Sequence, residues 1–232
     1  MKLVVFGASG PTGRLTTEQA LAQGHTVTAV TRRPDAFPLE HPLLHVTGAD
    51  VHDPEAVEHA VAGQDAVVST LGVPYGRAPV TVYSDGVTHI ARAMTRHGVR
   101  RLVCVTSTVL FDVPAPGEGL LFRKVLEPFI TRFVGRTVYD DMRRMEAVLA
   151  GSGHDWTVVR PAGLFDTEAV SDYRLAEARL PGRYTARSDL ASALLRHAVG
   201  DLRGRHLRTF VDVRTTQGVP GLFAVLRKEA FG

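Results

Sequence analysis

The run Leu3-Val4-Val5-Phe6 leads without a break into Gly7-Ala8-Ser9-Gly10-Pro11-Thr12-Gly13, and no other feature of the chain restricts its fold as much. A short, continuous apolar run bounded by glycine reads as a strand covered on both faces. Glycines spaced G-x-x-G-x-x-G, followed at once by a helical pattern over Thr12–Gln23, read as the first turn of a βαβ unit. Gly7 permits the tight turn, Gly10 lets a ligand approach the backbone, and Gly13 lets helix and strand pack closely. The start of such a helix offers amides and the positive end of its dipole, which suits a pyrophosphate. Gly7, Ser9, Gly10, Pro11, Thr12 and Gly13 are thus the candidate residues for holding a dinucleotide.

The remainder repeats the alternation that the loop begins. Strands are expected at Leu3–Phe6, His25–Thr31, Leu43–Thr47, Ala66–Thr70, Arg101–Thr106, Thr157–Arg160 and Leu207–Val213. Helices are expected at Thr12–Gln23, Pro54–Ala62, Val80–His97, Thr137–Gly151 and Asp189–Val199. Gly24 and Gly98 follow two of these helices as C-terminal stops, and Asp53-Pro54 is a cap followed by a helix-starting proline. Ser188-Asp189 reads as a cap for the last helix. Right-handed crossovers then give a doubly wound α/β Rossmann fold with a mostly parallel sheet and ligands at the carboxyl ends of its strands. A single domain over residues 1–232 is expected, with a small C-terminal substrate-side region at 161–232. The segment 111–136 is longer than an ordinary connection. It places Phe122, Leu126, Phe129, Ile130 and Phe133 at helical spacing, which fits either a packing helix or an apolar lid over a pocket.

Composition narrows the function classes. The net charge is +3 and the basic residues are scattered among acidic ones, so nucleic acid is not an expected partner. No apolar stretch approaches the ~18 residues of a membrane span, and the apolar run after Met1-Lys2 is too short for the core of a secretory leader, so a strand is expected there instead. Cys104 is the sole cysteine, so an internal disulfide is excluded and a reducing cytoplasm is the expected setting. Its apolar neighbours Leu102, Val103 and Val105 read as core rather than nucleophile surroundings. The histidines lack metal-ligand spacing: His41 and His45 are interrupted by Pro42, and His52 and His59 lack a partner at ligand spacing. No metal is expected.

The residue that meets the adenosine ribose should follow the second strand. An acidic side chain there favours NAD(H), but this strand ends Thr31-Arg32-Arg33-Pro34, with no carboxylate before Asp35. Two guanidiniums suit a 2′-phosphate, so NADP(H) is expected over NAD(H), with Arg32 and Arg33 as the readers.

Further motifs follow in order: Gly48-Ala49-Asp50-Val51, Gly63-Gln64-Asp65-Ala66-Val67-Val68, Gly98-Val99-Arg100-Arg101-Leu102-Val103, Thr106-Ser107-Thr108 and Asp155-Trp156-Thr157-Val158-Val159-Arg160-Pro161. Together with the glycine loop they resemble the atypical short-chain dehydrogenase/reductases, in particular the NAD(P)H-binding group of biliverdin/flavin reductase-like and NmrA-like proteins. The resemblance implies that Asp50 and Val51 flank the adenine and that Thr70, Leu71 and Gly72 line the middle of the cofactor. It places Thr106 and Ser107 beside the nicotinamide ribose and ring, with the backbone after Arg160-Pro161 closing over the nicotinamide. Each has a plainer alternative: Asp50 as a surface acid, Ser107 as the cap of its own turn.

The wider superfamily uses a Tyr-x-x-x-Lys pair, whose lysine favours the phenolate. The corresponding helix here reads Val138-Tyr139-Asp140-Asp141-Met142-Arg143-Arg144-Met145-Glu146. Val138 and Met142 occupy the pair's positions if Glu146 is aligned with the family's glutamate, and neither exchanges a proton. Val138, Met142, Met145 and Leu149 form an apolar stripe expected to face the core. Tyr139 and Arg143 lie on the adjacent stripe, so Tyr139 joins Ser107 as a catalytic candidate only if that boundary lines the cleft. Arginine itself stays charged and does not shuttle protons. Three functions remain open. The first is an NADP(H)-dependent reductase of a small hydrophobic, conjugated or aromatic acceptor, such as a flavin, quinone or enone. The others are a non-catalytic NADP(H) sensor and, less favoured, a nucleotide-sugar epimerase or dehydratase. Oligomeric state is left open.

Overall fold

Alternate residues of a strand point to opposite faces of its sheet, and in this protein both faces are apolar. In β1 (Lys2–Phe6), Leu3 and Val5 join one core while Val4 and Phe6 join the other. Ala66 and Val68 against Val67 of β4 (Ala66–Ser69), and Val103 against Leu102 and Cys104 of β5 (Arg101–Val105), divide in the same way. A sheet with two apolar faces needs two helical layers. The computed structural model, which describes residues 1–111, 113, 135–200, 207–216 and 219, supplies both. On one face lie α1 (Pro11–Ala22) and α5 (Arg187–Val199); on the other lie α2 (Pro54–Val61), α3 (Val82–His97) and α4 (Arg136–Ala150). Each fully buried Leu, Val or Phe in these layers contributes about 1.5–3 kcal/mol relative to exposure.

The other strands are β2 (Thr26–Thr31), β3 (Leu44–Gly48), β6 (Asp155–Pro161), β7 (Gly163–Phe165), β8 (Tyr173–Ala176), β9 (Tyr184–Ala186) and β10 (Thr209–Thr215). The central sheet has the order β3-β2-β1-β4-β5-β6-β10-β8. All its neighbours run parallel except β8, which lies antiparallel to β10 at the edge. This is the expected doubly wound, mostly parallel Rossmann sheet. The strand order reverses between β1 and β4, the place where such sheets bind ligands. The register brings Phe6 beside Ser69, Ser69 beside Cys104 and Val105 beside Val159. The loops that follow β1, β4, β5 and β6 therefore open on one edge.

The expected strands and helices all form, with boundaries within two residues of those read from the sequence. Gly24 and Gly98 adopt φ of +77° and +69° at the ends of their helices, a conformation that only glycine takes without strain. Asp53 caps α2 through the amides of Glu55 and Ala56. Three short strands were not anticipated. β7 and β9 pair as a separate two-stranded sheet, and β8 supplies the antiparallel edge. The cap expected from Ser188-Asp189 is corrected: α5 starts at Arg187, and both residues are buried inside its first turn. The Asp189 carboxylate instead accepts from the Ser171 amide at 2.7 Å and hydroxyl at 2.9 Å, and from the Thr215 hydroxyl. It thereby ties the 166–172 connection to α5 and β10. The lid-like segment lies outside the described residues except for 111, 113, 135 and 136, as does the tail beyond Val219. No helix among the described residues is long and apolar enough to cross a membrane.

One contact between helices substitutes for a local cap. Thr81, at the start of α3, makes no side-chain capping bond. The fully buried Asp141 of α4 reaches across to accept from the Tyr83 amide at 2.9 Å and from the Ser84 hydroxyl, with the Ser84 amide at 3.4 Å. A carboxylate suits the positive end of a helix, and Arg144 at 3.0 Å balances its charge. Asp141→Ala leaves these buried donors unsatisfied and should destabilise the fold by about 2–4 kcal/mol in urea unfolding. A loss below ~0.5 kcal/mol, the usual scale of a surface change, would show that the cap is dispensable.

Candidate active site

The glycine loop turns where β1 ends. Gly7 has φ +77°, and the Gly10 amide returns to the Gly7 carbonyl at 3.0 Å. Thr70, at the end of β4, clamps this turn: its hydroxyl donates to the Phe6 carbonyl at 2.9 Å and lies 3.3 Å from that of Gly7. A Cβ on Gly7 would sit 2.7 Å from the Thr70 carbonyl oxygen, and one on Gly13 would sit 2.2 Å from the Gly7 carbonyl oxygen. Neither is tolerable, so α1 packs on the loop at a distance that only glycine allows. Gly10 differs, since its added Cβ would meet only the Gly7 oxygen, at 3.3 Å. Its role is backbone access rather than packing. The start of α1 has Gly10 as its cap residue, Pro11 in its first turn, no side-chain capping bond and no acidic neighbour in that turn. Its free amides, with Thr12 and Gly13 among their residues, fit an anionic group approaching the loop.

Ser9 reaches from the glycine loop to the end of β2. Its hydroxyl donates to Thr31 Oγ1, which also accepts from the Arg33 amide at 3.2 Å. The glycine loop is thus tied to the end of β2, where Arg32 and Arg33 begin. Both arginines are exposed. Pro34–Ala36 turns away as a 3-10 helix behind them. Asp50 is exposed, and its carboxylate accepts from the His52 amide at 2.9 Å. Val51 is buried beside Leu71 against α3. A Cβ on Gly86 would come within 2.9 Å of Leu71 and 3.4 Å of Val51, so glycine there lets α3 close on this wall. Gly72 faces open space.

Polar contacts organise the ends of β5 and β6. Thr106 is buried, and its hydroxyl donates to Glu146 at 2.8 Å. Glu146 also takes Arg160 in a two-point contact at 3.1 and 2.7 Å, and the guanidinium lies between the rings of Phe111 and Phe210 at 4.5 and 3.9 Å. A forked ion pair with aromatic faces satisfies charge and shape together. Pro161 ends β6 as a buried residue, and the Ala162 amide donates to Thr185 Oγ1 at 3.1 Å. That bond aims the chain into β7.

Ser107 starts the turn Thr108–Leu110, accepting from the Val109 amide at 3.5 Å, and its side chain lies beside Tyr139. Arg214, paired with the buried Asp212, donates to Thr108 Oγ1 at 2.8 Å and steadies the same turn. Burial pushes the Asp212 carboxyl up to about 6, with Arg214 opposing it. The apolar stripe of Val138, Met142, Met145 and Leu149 is buried as expected. Tyr139 is buried too, at 3% exposure, and it comes to Ser107. Burial raises its phenol well above the ordinary tyrosine value. Arg143 is half-exposed and bonds to Asp140 at 2.9 Å, so the Tyr-x-x-x-Arg spacing makes no pair. Tyr75, absent from the sequence candidates, lies with its hydroxyl 2.8 Å from that of Tyr139. Its only signal was a tyrosine in the loop after β4, a few residues beyond Thr70. Cys104 is buried, and burial pushes its thiol up to about 12, consistent with a core residue.

A family model described as NAD(P)H-binding matches residues 7–199. The chain belongs to this NAD(P)H-binding family. An uncharacterized protein of Mycobacterium tuberculosis is 35% identical over 108 residues, covering 46% of this chain and 12% of that protein; the match therefore spans about an eighth of that relative's length. Among solved structures, a short-chain dehydrogenase/reductase from Veillonella parvula in complex with NADP superposes with a TM-score of 0.75 at 18% identity, covering 93% of this chain and 95% of the other. An anaerobillin reductase from Escherichia coli O157:H7 superposes with a TM-score of 0.71 at 21% identity, covering 95% of this chain and 100% of the other. At these identities the two structures share the Rossmann fold with this NAD(P)H-binding protein.

The cradle makes a direct prediction. Gly13→Ala forces α1 away from the Gly7 carbonyl, and overpacking of this kind costs about 1–3 kcal/mol. Dinucleotide affinity should fall at least about tenfold, followed by calorimetry on a variant whose circular dichroism matches wild type. Unchanged affinity would remove Gly13 from the site.

Proposed function

We propose that this protein is an NADP(H)-dependent reductase that transfers hydride to a small conjugated or aromatic acceptor, such as a flavin, quinone or enone. The observation that carries the reading is the shared edge: the glycine cradle, the two exposed arginines after β2 and the half-buried Ser107 after β5 all stand at the carboxyl ends of parallel strands, with the buried Tyr139 behind Ser107. In this reading the first turn of α1 holds the pyrophosphate, and Arg32 and Arg33 grip the 2′-phosphate. Asp50, Val51, Thr70, Leu71 and Gly72 line the dinucleotide, and Thr106 and Pro161 frame its nicotinamide end. The cofactor supplies a hydride when bound. The protein's part is to orient an acceptor against it and to deliver a proton through Ser107 and Tyr139. An electron-poor acceptor suits a helix without a lysine four residues after its tyrosine, because hydride transfer to it depends chiefly on placement. A cytoplasmic location goes with the chain's single, buried cysteine.

The missing lysine also favours a second reading, in which NADP(H) occupancy alters a protein contact without turnover. One experiment separates the two: NADPH absorbance followed with a panel of flavins, quinones and conjugated ketones, and NADH in parallel. Protein-dependent consumption with one acceptor class is the expected outcome. Tight NADPH binding with no consumption across the panel would favour the sensor instead.

The arginines carry their own prediction. Arg32→Ala and Arg33→Ala should each weaken NADPH about tenfold, since a hydrogen bond to a charged group contributes ~1.5–3 kcal/mol, and leave NADH nearly unaffected. Equal losses for both dinucleotides would contradict a 2′-phosphate contact.

A further inference from the structure

A buried tyrosine resists ionisation, because burial disfavours the charged form. Tyr139 is in that position; among the described residues Arg143, one turn on, is held by Asp140. If such a phenol gives up a proton, another group must replace it at once. The structure provides a donor on each side. The Tyr75 hydroxyl lies 2.8 Å from the Tyr139 hydroxyl, and the Ser107 side chain lies beside Tyr139 and opposes the rise of its phenol. Tyr75 is 56% exposed whereas Tyr139 is 3% exposed, so this short file of hydroxyls runs from solvent to the site edge.

The contact is built rather than incidental. Gly135 precedes α4, and a Cβ there would stand 2.4 Å from the Tyr139 ring and 2.9 Å from the Tyr75 ring. Glycine is what admits both rings, whose centroids are 5.9 Å apart. The loop carrying Tyr75 is pinned to α4 at two further points. Thr137 donates to the Gly76 carbonyl at 3.0 Å, and Arg144 donates to the Val80 carbonyl at 2.8 Å.

We propose that Tyr75 is the solvent end of a three-hydroxyl relay, Tyr75–Tyr139–Ser107, that delivers the proton accompanying hydride transfer; this rests on the reductase reading above. As the acceptor takes up hydride from bound NADPH, the atom that gains the negative charge (the oxygen of a quinone or enone, a ring nitrogen of a flavin) takes the Ser107 proton. Ser107 recovers a proton from Tyr139, Tyr139 from Tyr75, and Tyr75 from water. At each oxygen one O–H bond breaks as another forms, and the acceptor gains one hydride and one proton in total. No buried phenolate persists, so the step needs no lysine four residues after Tyr139. Tyr75 touches neither acceptor nor cofactor in this scheme and acts as a positioning and supply residue.

The test has two arms. In cofactor-free protein labelled with carbon-13 at the tyrosine ring carbon bearing the hydroxyl, Tyr75→Phe and Ser107→Ala should each move the Tyr139 resonance, assigned by its loss in Tyr139→Phe. In single-turnover reduction by NADPH of the acceptor class found above, Tyr75→Phe should slow the step about tenfold, part of the ~10²–10⁴ that positioned acid–base groups contribute. Its dependence on the deuterium fraction of the solvent should become less curved, because the transfers into and out of Tyr75 drop out while those from Tyr139 and Ser107 remain, with NADPH affinity unchanged. A Tyr139 resonance unmoved by Tyr75→Phe overturns the relay whatever the enzyme reduces. Wild-type rate and isotope dependence in that variant overturn it while leaving the reductase reading intact. A coupled resonance with no acceptor reduced overturns the reductase reading, and the relay with it.

Discussion

The contact on which this structure turns is the approach of α1 to the first loop, with Gly13 packed onto the Gly7 carbonyl and the Thr70 side chain. A side chain at Gly7 or Gly13 would push the helix off the sheet. With glycine, the helix start stands over the carboxyl ends of β1 and β4, at the reversal of strand order. Thr70 locks the loop from the β4 side and the Ser9–Thr31 hydroxyl bond locks it from the β2 side. The loop is therefore held at the junction of three strands before any ligand arrives. Preformed geometry of this kind reduces the ordering that binding must impose.

The other half of the edge is held by ion pairs buried beneath it. Glu146 and Arg160 join α4 to β6 and take the Thr106 hydroxyl, while Asp212 and Arg214 join β10 to the turn at Thr108. Buried pairs of this sort add little net stability over apolar packing, but losing one partner is costly. Their consequence here is geometric. They fix the backbone on either side of Ser107, so the hydroxyl that meets Tyr139 stands on a rigid turn. Asp141 extends the arrangement by joining α4 to the start of α3.

Much of this was legible in the residues because the signals are local. Two-sided apolar strands, the glycine loop, Asp53-Pro54 and the glycines after helices each act over a few positions, and all stand where expected. What was not legible depends on packing between distant segments. β7 and β9 are three residues long, too short to show a period. Ser188-Asp189 carries a cap's composition, yet Asp189 serves Ser171 and Thr215, which no local pattern links. Periodicity placed Tyr139 beside the core stripe but could not say that Ser107 and Tyr75 would meet it there. Thr106 shows the converse: the family motif points to the cofactor, while its hydroxyl is taken by Glu146.

The central claim is that the rigid edge receives a dinucleotide, with its pyrophosphate on α1 and its 2′-phosphate on the arginines after β2. A crystal structure of the chain grown with NADP tests it most directly. The account predicts the pyrophosphate against the backbone of residues 9–13 and the 2′-phosphate within hydrogen-bond distance of Arg32 or Arg33. A dinucleotide seated away from the glycine loop, or one whose 2′-phosphate touches neither arginine, would contradict it.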